Sequence, residues 1–340
     1  MTLSMVRQWP GVMIVSVVAL GAASAAQAAQ YPVSDAAGLQ SALGKVVPGD
    51  VIVLAAGTYR GSFVATRSGA KGKPITLKGP AGAVLTNSGY GFSLKANYWK
   101  LTGFTVNGAS KGIVLDNAHN NLLDKLTVKN VDGEGIHFRT FSSDNVLRNS
   151  TVSNTGLDTP GYGEGVYAGS AVSNWPVYTD GKPDTSDRNC IANNHIGPGV
   201  TAEGIDLKEG TTGGIVVGNT YDATGISGEN YGDSFIDAKG NGYHIYGNKV
   251  SNPGHTGVLK DGFQTHVAYT GYGKDNIFQA NTVDLQSSGY GFYITTSGTG
   301  NKVCSDNSVT HAGSGTANVS LTSCSNPQPV CPKVLQQALR

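Results

Sequence analysis

In the stretch A-E-G-I-D-L-K-E-G, residues 202–210, two acids, a lysine and a third acid crowd together in a chain that is otherwise poor in charge. About thirty residues later S-F-I-D-A-K-G (234–240) repeats its core, with Asp237 and Lys239 standing where Asp206 and Lys208 stood. Carboxylates beside lysines suit proton transfer next to a stabilised anion, provided the fold makes the two stretches neighbours. Alone, the spacing is equally that of a solvated, salt-bridged loop.

The elements that would position these residues show as an internal repeat. Asn194, Asn219, Asn248, Asn281 and Asn307 recur in segments of one pattern, each two residues before an apolar residue, at separations of 25, 29, 33 and 26 residues. Between them lies a second recurring strand, in G-E-G-I-H-F-R (133–139), G-E-G-V-Y-A-G (163–169), A-E-G-I-D-L-K (202–208), D-S-F-I-D-A-K (233–239), K-D-G-F-Q-T-H (260–266) and G-Y-G-F-Y-I-T (289–295). Short alternating strands with glycine at the corners describe a coil whose rungs stack in register. The expectation is an all-β, single-stranded right-handed parallel β-helix with asparagines stacked at one turn. A short helix over 33–43, with Ser34 or Asp35 as N-cap and Ala37, Leu39 and Leu43 apolar, would cap its N-terminal end. Residues 303–340 would cap the other.

Strand alternation assigns faces, with the apolar residue after glycine turned inward. One outward column reads Glu134, Glu164, Glu203, Ser234, Asp261, Tyr290; the next His137, Tyr167, Asp206, Asp237, Gln264, Tyr293; the third Arg139, Gly169, Lys208, Lys239, His266, Thr295. Acids, mixed polar groups and bases thus share one face. β-Elimination from a uronate-containing polysaccharide needs such a face: a base for the proton α to the carboxylate, and something to neutralise that carboxylate. Stacked carboxylates at Glu203, Glu164, Asp206 and Asp237 suggest Ca²⁺ for the second task. Lys208, flanked by Arg139, Lys239 and His266, is the base candidate, because cationic neighbours and burial lower a lysine's pKa. Lys239, His266 and Arg139 complete the catalytic set, and His137, Tyr167, Gln264, Tyr290 and Tyr293 would line sugar subsites. The insertion 170–188 adds Trp175, either a sugar platform or a residue that packs the loop; Glu209 reads as a solvated turn residue.

P-G-D-V-I-V-L-A-A-G-T-Y (48–59) and K-P-I-T-L-K-G (73–79) resemble the entry turn of the β-helix polysaccharide lyases, especially the alginate lyase and chondroitinase B family. In that family a metal-binding glutamate lies five residues before a base lysine, the spacing of Glu203 and Lys208, and an arginine stands one rung later, in the column of Lys239. The resemblance therefore implies a lyase acting on an acidic polysaccharide. The chain departs from it at Lys239, which lacks arginine's planar fork, and at Thr201, where the family carries a further acid.

Two other classes remain: a glycoside hydrolase using Asp206 and Asp237 as a carboxylate pair one rung apart, and a non-catalytic carbohydrate-binding surface protein. Charged residues make up 14% of the 340, and the net charge is +1, so no basic field points to nucleic acid. A charged n-region, an apolar run from Val12 to Leu20 and Ala26-Gln27-Ala28 read as a signal peptide over 1–28, leaving 29–340 as the β-helix domain of a secreted monomer with no membrane partner. Four cysteines in an exported chain fit one or two disulfides, with Cys304 paired to Cys324 as a staple on the C-terminal cap.

Overall fold

After the first pair of strands, Gln30–Val33 with Val51–Leu54, strands pair with those one period away rather than with their neighbours in the chain, which is how a coil differs from a meander. The computed structural model describes residues 28–295, 299–325 and 329–332. Its strands form three parallel sheets of 11, 10 and 10 strands, each turn giving one strand to each sheet. The expected signal peptide lies outside the described residues, apart from Ala28. Among the described residues no helix is long and apolar enough to cross a membrane.

The repeat sets the register. Ile136, Val166, Ile205, Ile236, Phe263 and Phe292 are successive partners and all are fully buried, so one column of the front sheet fills the interior. A glycine precedes each of these except Ile236, which follows Phe235, and it is needed for close approach: a Cβ on Gly165 would lie 2.6 Å from the carbonyl oxygen of Gly204 and 2.7 Å from Ile196.

Asparagines hold one corner as expected. The backbone N–H and side-chain amide of Asn194 both donate to Oδ1 of Asn219 at 2.9 Å, and the pattern continues through Asn248, Asn281 and Asn307. Ser150 extends the ladder upstream, donating its N–H to Asn194. A second ladder, Asn121, Asn145 and Asn189, stands at another corner; its signal was an asparagine before each of L-L, V-L and C-I.

The capping helix runs Ala36–Leu43, with the Asp35 carboxylate accepting the N–H of Gly38 at 2.7 Å. It buries Leu39, Ala42 and Leu43, while Ala37 faces solvent, one step round the helix from its expected place. Ahead of it the strand Gln30–Val33 opens the first sheet, an element the sequence reading did not anticipate. Cys304 pairs with Cys324 as expected, and Cys190 pairs with Cys331 across 141 residues.

Candidate active site

The middle outward column is in the expected register: His137, Tyr167, Asp206, Asp237, Gln264 and Tyr293 are successive partners along the front sheet. It forms the floor of a cleft of about 890 Å³, a size suited to a few sugar units. These residues point away from the core and yet are mostly buried, Asp206 almost completely. The cause is the walls. On one side the insertion 170–188 and the segment 266–274 rise together, joined where the Trp175 ring meets Tyr269 edge-on at 5.0 Å. On the other side stand the turns Pro160–Tyr162 and Glu229–Tyr231.

Asp206 is the centre of the floor. Its Oδ2 lies 2.7 Å from Lys208 Nζ, and both its oxygens accept from Lys239 Nζ at 3.0 Å. Lys239 also contacts Asp237 at 2.7 Å and approaches Glu203 at 3.8 Å. Asp237 in turn accepts from Nδ1 of His266 at 2.7 Å. Burial works against its charge, but Lys239 and His266 outweigh it and hold the Asp237 carboxyl below the usual range. His266 is raised by the same bond despite its own partial burial.

Lys208 differs from expectation. Burial opposes its charge, but Asp206, Glu203 and Glu164 outweigh that and hold the ammonium above its ordinary pKa. Arg139 does not act on it at short range. Its guanidinium bonds Asp116 at 2.6 Å and lies over the Tyr178 ring at 4.3 Å, outside the lining of the cleft. Asp116 lies one rung before Arg139 in register, on a strand ahead of the first G-E-G repeat.

The glutamates carry the opposite effect. Burial, then the charge of Asp206, pushes Glu203 up to about 8, and burial with Glu203 beside it holds Glu164 well above the carboxylate range. Oε2 of Glu164 is buried with no hydrogen-bond partner. Tyr167 stays a neutral phenol, raised by burial and by Asp206 and Glu164; Lys208 Nζ lies 5.1 Å from its ring centre. Behind it His137 packs edge-on at 4.4 Å and donates from Nε2 to the carbonyl of Gly169 at 2.8 Å, and burial keeps the ring neutral.

Glu164, Glu203 and Asp206 each present an oxygen within 4.8 Å of the others, the place for the expected Ca²⁺. The donor chemistry does not fit that ion. Both oxygens of Asp206 are taken by ammonium groups, and Asp237 is taken by Lys239 and His266. Glu164 and Glu203 alone fall short of the six to eight oxygens calcium prefers, beside two cations already in place.

Of the expected sugar-binding residues, Tyr293 lines the cleft, whereas Tyr290 does not. Gln264 lines it but is committed to Asp233 and Asp261 at 2.9 and 3.0 Å. Trp175 is buried, its indole N–H donating to the carbonyl of Ser170 at 2.9 Å, so it packs the insertion and Tyr178 reaches the cleft instead. Glu209 is not solvated: it is buried and accepts the N–H of Val172 at 2.6 Å, tying the insertion down. Asp184, inside the insertion, is its other anchor, accepting the N–H groups of Thr140 and Phe141 at 2.9 and 2.8 Å. Tyr162 and Tyr231 also line the cleft, and a shared Tyr-Gly-acid pattern, Y-G-E at 162–164 and Y-G-D at 231–233, was the signal for them.

The family model of the Pel9A-like right-handed β-helix region matches residues 17–172. Among solved structures, the alginate lyase from Paenibacillus sp. strain FPU-7 is 40% identical, with a TM-score of 0.80 over 86% of this chain and 99% of that one. Pectate lyase Pel9A is 15% identical, with a TM-score of 0.55 over 86% and 79% of the two chains, and a rhamnogalacturonan lyase is 14% identical, with a TM-score of 0.53 over 78% and 80%. The last two share the fold. A comparison with curated proteins returned no match.

Proposed function

The chain belongs to the right-handed β-helix polysaccharide lyases, the family of the Paenibacillus alginate lyase, and from that premise we propose that it is an exported enzyme that cleaves alginate or a closely similar uronan by β-elimination. The observation that carries the reading is the pair of ammonium groups gathered on Asp206 at the floor of a cleft sized for a few sugar units. The two disulfides support export.

In this scheme Lys239, fixed by Asp206 and Asp237, is the permanent cation facing the uronate carboxylate, aided by His266 at the rim. It does the work expected of Ca²⁺. Lys208 is the base. Two of the three carboxylates that support its charge, Glu203 and Glu164, are themselves held towards the neutral acid, and Asp206 is shared with Lys239. A bound sugar removes water from the cleft and adds to the desolvation that favours the free amine. Its ammonium proton leaves with the displaced water, the free amine of Lys208 takes the proton α to the carboxylate, the electron pair forms the carbon–carbon double bond, and the bond to the bridging oxygen breaks. Tyr167, neutral and beside Lys208, returns a proton to the departing oxygen.

The hydrolase alternative lacks its acid: Asp206 and Asp237 both bond Lys239, and Asp237 is held ionised. Absorbance near 235 nm during incubation with alginate, polygalacturonate and glycosaminoglycans tests the proposal, since only elimination yields an unsaturated product. Lys208→Ala should lower kcat by about a thousandfold or more, as expected for loss of a general base or its equivalent, with an unchanged circular dichroism spectrum. EGTA should leave the wild-type rate unchanged. Reducing ends without absorbance would mean a hydrolase, and full activity of the variant would remove Lys208 as base.

A further inference from the structure

Two short turns on the rim of the cleft are joined to each other across a rung to which neither belongs. Pro160–Tyr162 leads into the strand of Tyr167, and Glu229–Tyr231 leads into the strand of Asp237; the rung of Asp206 passes between them at Thr201. The Thr201 hydroxyl donates to the carbonyl of Pro160 at 2.9 Å, and its own carbonyl accepts the Ser227 hydroxyl at 2.8 Å. Directly between the turns, the Asn230 side-chain amide donates to the carbonyl of Gly161 at 3.0 Å. A Cβ at Gly161 would lie 2.9 Å from the Cβ of Asn230, so the glycine is what lets the turns touch. Thr201, where the family pattern carries an acid, is here a clasp.

The clasp holds an unusual backbone. Asn230 and Tyr231 have φ of 53° and 64°, two successive non-glycine residues in the left-handed region, rare for an aromatic. Its result is to present rings to solvent: Tyr231 is 85% exposed and Tyr162 61%, and both line the cleft. Neither ring gains burial in return, unlike Tyr221 and Tyr243, which are enclosed in the solenoid. Rings held out by fixed turns on a groove wall suit the flat, C–H-rich face of a sugar, at little further entropic cost. Lys260, exposed and on the same cleft, offers a cation to that sugar's carboxylate.

We propose that Tyr162 and Tyr231 form an outlying subsite, two aromatic platforms that bind uronate rings away from the cleaved bond and make the enzyme favour long chains. This rests on the lyase reading above. Kinetics on alginate polymer and on defined oligomers would be compared for the wild type, Tyr162→Ala, Tyr231→Ala and Tyr231→Phe. Each alanine variant should raise KM for polymer about fivefold or more with kcat within about twofold, as loss of remote binding does. Tyr231→Phe, which keeps the ring, should retain the wild-type KM, and the penalty should shrink on the shortest oligomers cleaved. An unchanged polymer KM in both alanine variants, or an equal loss at every length, overturns the subsite. Should the wild type give no unsaturated product from any uronan, the lyase reading fails separately, and electrophoresis through alginate-containing gels still reads the platform. Retardation of the wild type that Tyr231→Ala loses supports it; equal retardation, or none, overturns it.

Discussion

Asp206 shows how the cleft balances its charge. Among the described residues, the four carboxylates Glu164, Glu203, Asp206 and Asp237 share two lysines on this floor, Lys208 and Lys239, with His266 at its edge. Protons on the glutamates make up the difference, as burial and anionic neighbours dictate. The sign of the pH dependence follows. Glu203, raised to about 8, stabilises the fold fully below the ordinary carboxylate range, and that contribution is lost as pH rises through about 8. The melting temperature of the wild type should therefore fall between pH 5 and pH 9 by roughly several degrees, and Glu203→Gln, a permanent mimic of the neutral acid, should fall less. Identical slopes in thermal melts across that range would mean that Glu203 is ionised throughout.

At the scale of elements, the asparagine ladder carries register and the cleft carries chemistry, and the two can be separated. Asn248 is fully buried and bonds Val216, Asn281 and Asn219 at 3.0 Å each. Asn248→Ala leaves those groups unpaired, at a cost of roughly 2–4 kcal/mol. Its melting temperature should drop clearly, while kcat/KM measured well below the melt stays at the wild-type value; a large fall in both would tie the corner to the cleft. The same separation explains what was legible in the sequence. Asn219 and Asn248 recur at nearly fixed spacing because each pairs with its own counterpart, and the columns of Asp206 and Asp237 follow from strand alternation once that period is seen. The walls follow no period. Whether Trp175 or Tyr178 faces the cleft depends on how the insertion folds back, and Glu209 reads as a solvated turn residue until Val172 is found beside it. The charge state of Lys208 was equally hidden, because spacing shows its neighbouring columns but not that Arg139 turns to Asp116.

A solenoid holds each rung only through its neighbours, so its ends are its weak points unless something ties them to the middle. Cys331 does this by reaching Cys190 in a central rung of a sheet other than the one that floors the cleft. Around Cys190 the outward-facing Leu122, Val146 and Ala192 form a small apolar cluster against which Cys331 packs, and the Tyr246 hydroxyl donates to the carbonyl of Pro329 nearby. Residues 329–332 thus act as a strap over the back of the coil. Closing a loop of this length restricts the unfolded chain by on the order of 3–5 kcal/mol. Cys331→Ser should accordingly lower the melting temperature by roughly several degrees and leave kcat and KM unchanged, since among the described residues the cluster around Cys331 shares no member with the lining of the cleft. Thermal melts with and without reductant check the assignment. Reductant should bring the wild type down to or below the variant, and should lower the variant further only through Cys304–Cys324. A variant that melts with the wild type under oxidising conditions would show that the strap carries no load, and the cap's stability would then rest on rung stacking alone.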